Sequence, residues 1–113
     1  MNYTKHLSEP WFTLVKLGIK SVEGRLNKGS FKDMKIGDTI TFYNNDVIER
    51  NFKVKIVKIN VYDSFKNYLK KETLKKTLPG YNKIQDGLAV YYKYFTREDE
   101  KTYKVKSFHL ELL

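Results

Sequence analysis

The segment from Phe52 to Tyr62 carries the strongest local signal in the sequence. Between Phe52 and Ile56 every second residue is apolar, and the residues between them are lysines. From Val57 to Val61 the alternation continues, but the apolar positions are shifted by one residue. Successive side chains of a strand point to opposite faces, so an unbroken strand would turn half of its apolar residues toward water. The segment therefore predicts one long strand with a β-bulge or a barrel corner between Ile56 and Val57.

Weaker signals on either side of this strand predict further elements. Ser8-Glu9-Pro10 has the residue types of a helix N-terminus, and Gly18 is suited to end that helix with a positive φ. The other predicted elements are a strand over Lys20–Arg25, a turn at Lys35–Asp38, a strand over Thr39–Tyr43, a helix capped by Asp63 and Ser64 that starts near Phe65 and stops by Pro79-Gly80, a helix over Gln85–Tyr94, a polar turn over Thr96–Glu100 and a strand over Tyr103–Leu112.

The order of these elements indicates an α+β fold. Strands do not alternate regularly with helices, which argues against a parallel βαβ sheet. Hydrophobic strands with a bulge and a closing C-terminal strand favour a small barrel with helices outside it. We therefore expect a partly closed mixed β-barrel of five or six strands with about three flanking helices. The 113 residues suit one domain over residues 1–113.

Composition excludes several classes of protein. The chain has no cysteine, so a disulfide framework, a thiol nucleophile and a cysteine-ligated zinc site are ruled out. The two histidines, His6 and His109, are far apart in sequence, and we predict no metal and no cofactor. No run of residues is apolar for long enough to form a membrane helix, and residues 1–10 lack the apolar core of a secretory signal. We expect a cytoplasmic protein, with a nuclear location left open.

The net charge of +9 is compatible with two interpretations. Excess positive charge suggests an anionic partner, of which nucleic acid is the commonest. A coding bias toward A/T-rich codons would also produce it, since lysine outnumbers arginine nineteen to three. Charge alone does not decide between them.

One segment is specific enough to indicate a family. Gly18–Arg25 fits the pattern G-x-K-x-x-E-x-R, and it follows a helix that begins Glu9-Pro10-Trp11-Phe12. A K-x-G-D turn and an apolar strand come next, at residues 35–42, and Leu78-Pro79-Gly80 and Gly87–Phe95 agree downstream. In this order the motifs resemble the activating signal cointegrator homology (ASCH) family, in its stand-alone single-domain form.

The resemblance implies a PUA-like barrel with a ligand cleft beside the first helix, and binding of RNA or a nucleoside-like ligand. Some small bacterial members of the family are amidohydrolases that deacetylate N4-acetylcytidine. They share the lysine that corresponds to Lys20, but they also use a threonine three residues later and a glutamate in a later helix. Here the position three residues after Lys20 is Glu23, which weakens the hydrolase interpretation. Glu72 is a candidate for the later glutamate, without a secure alignment.

The motif residues form a candidate binding site. Glu23 and Arg25 are two apart on a strand and therefore share a face, and Lys20 lies at the preceding corner. Glu23 is suited to accept a hydrogen bond from an exocyclic amine of a base, and Arg25 or Lys20 to hold a phosphate. The simpler alternative is a cross-strand salt bridge that only supports the barrel. If the protein is a hydrolase, Lys20 and Glu23 are the catalytic candidates.

Aromatic and basic residues extend this hypothesis. Of Trp11 and Phe12, adjacent in the first helical turn, one is expected in the core, and Trp11 is the better candidate for a wall on which a base stacks. Lysines spaced along one predicted helix face would suit a phosphate backbone, although such a face is often merely solvated; they are Lys66, Lys70, Lys71, Lys75 and Lys76.

Two functions therefore remain open, together with an adaptor that has no ligand. The first is a module that binds RNA or a nucleotide without chemistry. The second is a small amidohydrolase acting on acylated nucleosides such as N4-acetylcytidine. Whether the protein is an enzyme is left undecided, and a monomer is the default expectation.

Overall fold

The computed structural model describes all residues, 1–113, and contains five strands and six helices. The strands are β1 (Asn2–Leu7), β2 (Val22–Leu26), β3 (Thr39–Asn44), β4 (Asn51–Tyr62) and β5 (Val105–Leu112). The helices are α1 (Trp11–Lys16), α2 (Ser30–Asp33), α3 (Phe65–Glu72), α4 (Leu74–Thr77), α5 (Ile84–Tyr91) and α6 (Arg97–Tyr103). None of the helices has the length and apolar character needed to span a bilayer.

All five strands belong to one mixed sheet with the order β1-β3-β4-β5-β2. β1 runs parallel to β3, and the other three pairings are antiparallel. β1 and β2 are the two edges and do not pair with each other, so the curled sheet is a half-barrel with one open side. This confirms the predicted partly closed mixed barrel, and the five strands lie within the predicted five or six, although β1 was not among the strands predicted from the sequence.

The long strand β4 contains the predicted irregularity. Its register with β5 shifts between Ile56 and Lys58. Val54 and Ile56 are fully buried before the shift, and Ile59 packs on the same core after it. The extra residue, Val57, is exposed, and Val61 further along is exposed as well. The bulge therefore lets Ile59 face the same core as Val54 and Ile56 across the phase change.

The sheet carries a separate core on each of its faces. The core inside the curl contains Leu7, Phe12, Val15, Met34, Ile40, Phe42, Val54, Ile56 and Phe108. The second, between the helices and the outer face of β2 and β5, contains Val22, Leu26, Phe65, Tyr68, Leu69, Leu78, Tyr91 and Val105. Because Val105 and Phe108 lie on opposite faces of β5, this strand joins the two cores.

The helical part differs from the prediction in several details. There are six short helices instead of about three, partly because Thr73 (φ 76°) separates α3 from α4. The polar stretch after Thr96 is helix α6 and not a turn. Ser64 caps α3 as predicted, its side chain accepting from the Asn67 N–H, and Gly18 ends the α1 segment with φ 77°. Ser8 does not cap α1, since the first helical turn is bonded instead by Glu9, which accepts from the Thr13 N–H at 3.0 Å.

Candidate functional site

A pocket opens where the half-barrel fails to close. It lies between the two edge strands, with α1 and α5 completing its walls, and has a volume of ≈ 260 Å³. β1 contributes His6 and Leu7, and β2 contributes Glu23, Gly24 and Arg25. The other lining residues are Ser8, Trp11, Lys20, Asn45, Leu78, Val90, Tyr91, Tyr94 and Phe95.

Lys20 anchors the floor of this pocket. Its side chain is only 2% exposed, and its ammonium group donates to the backbone carbonyls of Val22 (2.7 Å) and Thr77. The Nζ atom also lies 3.8 Å from Glu23 Oε1. Burial lowers the pKa of Lys20, while the negative charge of Glu23 opposes that shift. With two of its three donors held by carbonyls, Lys20 ties α4 to the start of β2.

Glu23 lines the pocket and has an unused hydrogen-bond acceptor. Its Oε1 accepts from the Gly24 N–H at 3.2 Å. Its Oε2 is buried without any hydrogen-bond partner and lies 3.8 Å from Arg25. A buried carboxylate oxygen is expensive to leave unpaired. A ligand that donates a hydrogen bond to Glu23 Oε2 would therefore gain more binding free energy there than at any other polar atom of the pocket.

Arg25 is held loosely in comparison. Its side chain is 26% exposed, and its guanidinium group stacks over the Phe31 ring with Cζ 5.2 Å from the centroid. At 3.8 Å its contact with Glu23 is an ion pair without a hydrogen bond. Glu23 and Arg25 thus form the ion pair that the simpler alternative expects, although along one strand and not between two strands. The N–H donors of Arg25 remain available at the pocket edge.

Aromatic side chains form much of the remaining wall. Trp11 is half-buried and stacks on Tyr81, with ring centroids 6.3 Å apart. Phe12, its neighbour, is fully buried in the inner core, so the two residues divide as predicted. Tyr91 donates to the Tyr68 hydroxyl at 3.2 Å behind the pocket. Burial, and to a lesser extent the negative charge of Glu23, raise the pKa of Tyr91, so it stays a neutral phenol.

The four predicted ligand-binding residues, Trp11, Lys20, Glu23 and Arg25, thus line one pocket. The remaining lining comes mainly from residues that the sequence did not single out. His6 and Leu7 lie on β1, which was not predicted as a strand. Tyr91 and Phe95 belong to the aromatic run of residues 91–95, whose sequence is compatible with a stacking platform but whose helical spacing favours core packing.

The predicted basic surface lies elsewhere. Lys66, Lys70, Lys71 and Lys75 are exposed on α3 and α4, and none of them lines the pocket. The pocket is therefore a separate feature from this lysine surface. The role of these lysines in nucleic-acid binding stays a prediction.

Glu72 lies outside the pocket as well. Its carboxylate accepts from Ser107 (2.7 Å), Tyr62 (2.9 Å) and Asn60 (3.1 Å), and His109 Nε2 is 2.9 Å away. Ser107 and His109 point from β5 to the face opposite Phe108, which puts this cluster on the outer face of the sheet. Glu72 is thus not positioned to act together with Lys20 and Glu23. No group of three or more acidic or histidine side chains is arranged to hold a metal ion.

Comparisons with known proteins agree with this architecture. The hypothetical protein PH0355 superimposes with a TM-score of 0.90 at 36% identity, over 100% of both chains. Protein PF0455 from Pyrococcus furiosus gives a TM-score of 0.82 at 36% identity, over 100% of this chain and 98% of the other. The S128A mutant of ZmASCH from Zymomonas mobilis shares the fold, with a TM-score of 0.59 at 14% identity over 96% of this chain and 66% of the other. No curated protein matches the sequence significantly.

The half-barrel and its pocket at the open side define a domain with the PUA-like fold. The family model of the ASCH domain matches residues 6–111, almost the whole chain. The chain belongs to the ASCH domain family, whose members are generally associated with RNA binding or related roles.

Proposed function

We propose that the protein binds RNA or a nucleotide by taking one base into the pocket beside α1. The observation that carries the proposal is the unpaired Glu23 Oε2, buried in a pocket of ≈ 260 Å³ of which half the lining residues are hydrophobic. That volume lies just below the roughly 300–1,000 Å³ typical of small-molecule sites. It suits a single base and not a folded strand.

The chemistry of the lining matches the two kinds of surface that a base offers. A base has apolar faces and polar edges, and stacking on an aromatic side chain contributes about 1–3 kcal/mol. Trp11 supplies such a ring at the pocket wall. Cytosine and adenine carry exocyclic amines on their edges, and Glu23 Oε2 accepts such a donor without losing any existing hydrogen bond. Arg25 lies beside it for the ribose-phosphate part of the ligand.

Trp11 also provides the assay, because it is the only tryptophan of the chain. Titration with cytidine, adenosine or uridine should change its fluorescence saturably, with tighter binding of the two nucleosides that carry an exocyclic amine. Hydrogen bonds to charged groups are worth roughly 1.5–3 kcal/mol. Glu23→Gln should therefore weaken cytidine binding about 10- to 100-fold, at 1.4 kcal/mol per factor of ten.

The matched control is Glu111→Gln, which removes an exposed carboxylate from β5 outside the pocket. It should bind cytidine like the wild type. Absence of saturable binding of any nucleoside, or equal affinity of the wild type and the Glu23→Gln variant, would refute base binding in this pocket.

Hydrolysis of an N4-acylated cytidine is a second candidate, favoured by the burial of Lys20 and its lowered pKa. In such a reaction Glu23 would activate water for attack on the acyl carbon, releasing acetate and cytidine, and Lys20 would carry the proton to the departing nitrogen. The two carbonyls that hold the Lys20 ammonium argue for a supporting role instead. Acetate release from N4-acetylcytidine that is abolished in both Lys20→Ala and Glu23→Gln would establish the reaction, and no release by folded wild type would exclude it.

A further inference from the structure

A second cavity adjoins the base pocket and has a different chemical character. Its volume is ≈ 220 Å³, and its lining includes Lys5, Arg25, Lys28, Ser30, Phe31 and Phe95. Three of these are cations, and none of the lining residues is acidic. Arg25 and Phe95 also line the base pocket, so the two cavities meet at these side chains.

The positive charge of this cavity is not neutralised within the protein. Neither Lys5 nor Lys28 forms an ion pair, and Arg25 has only its 3.8 Å contact with Glu23. Lys5 Nζ lies 4.3 Å and Arg25 Cζ 5.2 Å from the centroid of the same Phe31 ring. Both cations therefore contact the same aromatic ring, and their positive charges lie close together. Burial and the neighbouring Arg25 both lower the pKa of Lys5, an electrostatic cost that an incoming anion would relieve.

We propose that this second cavity holds a phosphate group of the ligand whose base occupies the first. The proposal rests on the proposed function and assigns a separate cavity to the phosphate of the nucleotide or RNA ligand. Phosphate is the matching anion because the planar guanidinium of Arg25 offers paired donors for its oxygens. The two lysines add charge, and the Ser30 hydroxyl is available as a further donor.

Arg25 is the residue that connects the two cavities. Its strand neighbour two residues earlier, Glu23, faces the base pocket, while its own guanidinium lies over Phe31 in the phosphate cavity. A ligand that spans both would place its ribose at Arg25. The Arg25 side chain makes no hydrogen bond within the protein, so its donors are free for such a ligand.

The test compares cytidine, cytidine 5′-monophosphate, cytidine 3′-monophosphate, a cytidine dinucleotide and inorganic phosphate. All are titrated against Trp11 fluorescence at about 0.15 M salt, where exposed charges are well screened, and inorganic phosphate is also tested as a competitor. At least one phosphate-bearing ligand should bind ten times or more tightly than cytidine. Inorganic phosphate should compete with that ligand and not with cytidine. The ligand with the largest gain in affinity over cytidine identifies the kind of phosphate. A monophosphate indicates a terminal phosphate, and the dinucleotide indicates a backbone phosphate.

Lys5→Gln and Lys28→Gln should each lower the affinity for the phosphate-bearing ligand about three- to tenfold and leave that for cytidine unchanged. Lys53→Gln, which removes the same charge from an exposed position on β4, should change neither affinity. Lys28 is exposed, so its variant keeps the test valid if replacement of the half-buried Lys5 impairs folding.

The outcomes separate this inference from the proposed function. If cytidine binds and no phosphate improves its affinity, the phosphate cavity is refuted and base binding stands. If only the phosphate-bearing ligands and inorganic phosphate bind, dependent on Lys5 and Lys28, base binding fails and an anion site alone remains. An equal loss in Lys53→Gln would reduce the effect to net charge and overturn the inference.

Discussion

Gly24, between Glu23 and Arg25 in β2, gives a sharp test of the packing behind the site. It lies in the middle of β2 with no positive φ, so its backbone conformation is open to any residue. On conformational grounds alone Gly24→Ala should stabilise the protein by about 0.4–1 kcal/mol, because alanine restricts the unfolded chain. The packing around residue 24 predicts instead that Gly24→Ala destabilises the protein.

A methyl group at residue 24 has no space. Its carbon would lie 2.6 Å from Cε2 and 2.7 Å from the hydroxyl oxygen of Tyr68, and it would also overlap Cζ. Tyr68 is fully buried, so the ring cannot move aside freely. Overpacking of this kind costs about 1–3 kcal/mol. Displacing the ring also breaks its hydrogen bond with Tyr91, which adds roughly 1–3 kcal/mol for an unpaired buried hydroxyl. After the conformational gain, the net loss should be about 1.5–5 kcal/mol.

Urea unfolding of a double-mutant cycle isolates this contact. Tyr68→Leu removes the ring atoms that the methyl group would meet. Gly24→Ala should therefore cost less than about 1 kcal/mol in the Tyr68→Leu background, and several times that in the wild type. If Tyr68→Leu alone is too unstable, the whole cycle is measured in an excluded osmolyte that favours burial. Equal costs in the two backgrounds, or a Gly24→Ala variant as stable as wild type, would refute the reasoning.

The sequence predicts an element of this fold well where the residues of that element carry their own apolar pattern. The sequence predicts β4 with its bulge because both apolar alternations, before and after the shift, are present in its residues. β1 was missed because only Tyr3 and Leu7 of its six residues are apolar. It is an edge strand held by its parallel pairing with β3, and that pairing partner is more than thirty residues away. No local pattern encodes such a pairing.

Helix α6 was missed for a different reason. Thr96 accepts from the Asp99 N–H, and three acidic residues follow in the first turn, which are ordinary signals of a helix start. The segment Thr96–Glu100 has no apolar periodicity, and its sequence therefore predicts a polar turn. Part of its stability comes from Glu100, which accepts from the Phe65 N–H at 2.6 Å and from Tyr92. These partners lie at the start of α3 and directly after α5.

In the candidate site, too, the sequence predicts features set by neighbouring residues and misses those set by residues distant in the chain. Spacing along β2 correctly puts Glu23 and Arg25 on one face. The burial of Lys20 depends on the Thr77 carbonyl, which is 57 residues later in the chain. The second cavity requires Lys5 on β1 beside Arg25 on β2, the two strands at opposite edges of the sheet. Curling of the sheet brings these residues together, and the strand patterns alone do not specify how far it curls.

Two further predictions concern residues away from the pocket. Replacing Lys70 and Lys71 with Gln should lower the slope of log affinity for RNA against log salt by about one per lost phosphate contact, relative to a Lys53→Gln/Lys55→Gln control on β4; an unchanged slope would mean that the lysine surface is only solvated. On the outer face of the sheet, burial alone would raise the pKa of Glu72, but hydrogen bonds from Ser107, Asn60 and Tyr62 lower it from 4.5 to about 2. The ionised form is therefore favoured in the folded state, and its stabilisation is complete above pH 4.5 and lost as the pH falls toward 2. At about 1.4 kcal/mol per pKa unit the lowered pKa sets an upper bound of about 3.5 kcal/mol, and partial solvent screening reduces it to roughly half. In urea unfolding between pH 3 and 6, Glu72→Gln should be less stable than wild type by about 1–3 kcal/mol at pH 6. The difference should stay level down to about pH 5 and then shrink as the pH falls toward 3. A difference that stays constant across this range would mean that Glu72 contributes by packing and not by its charge.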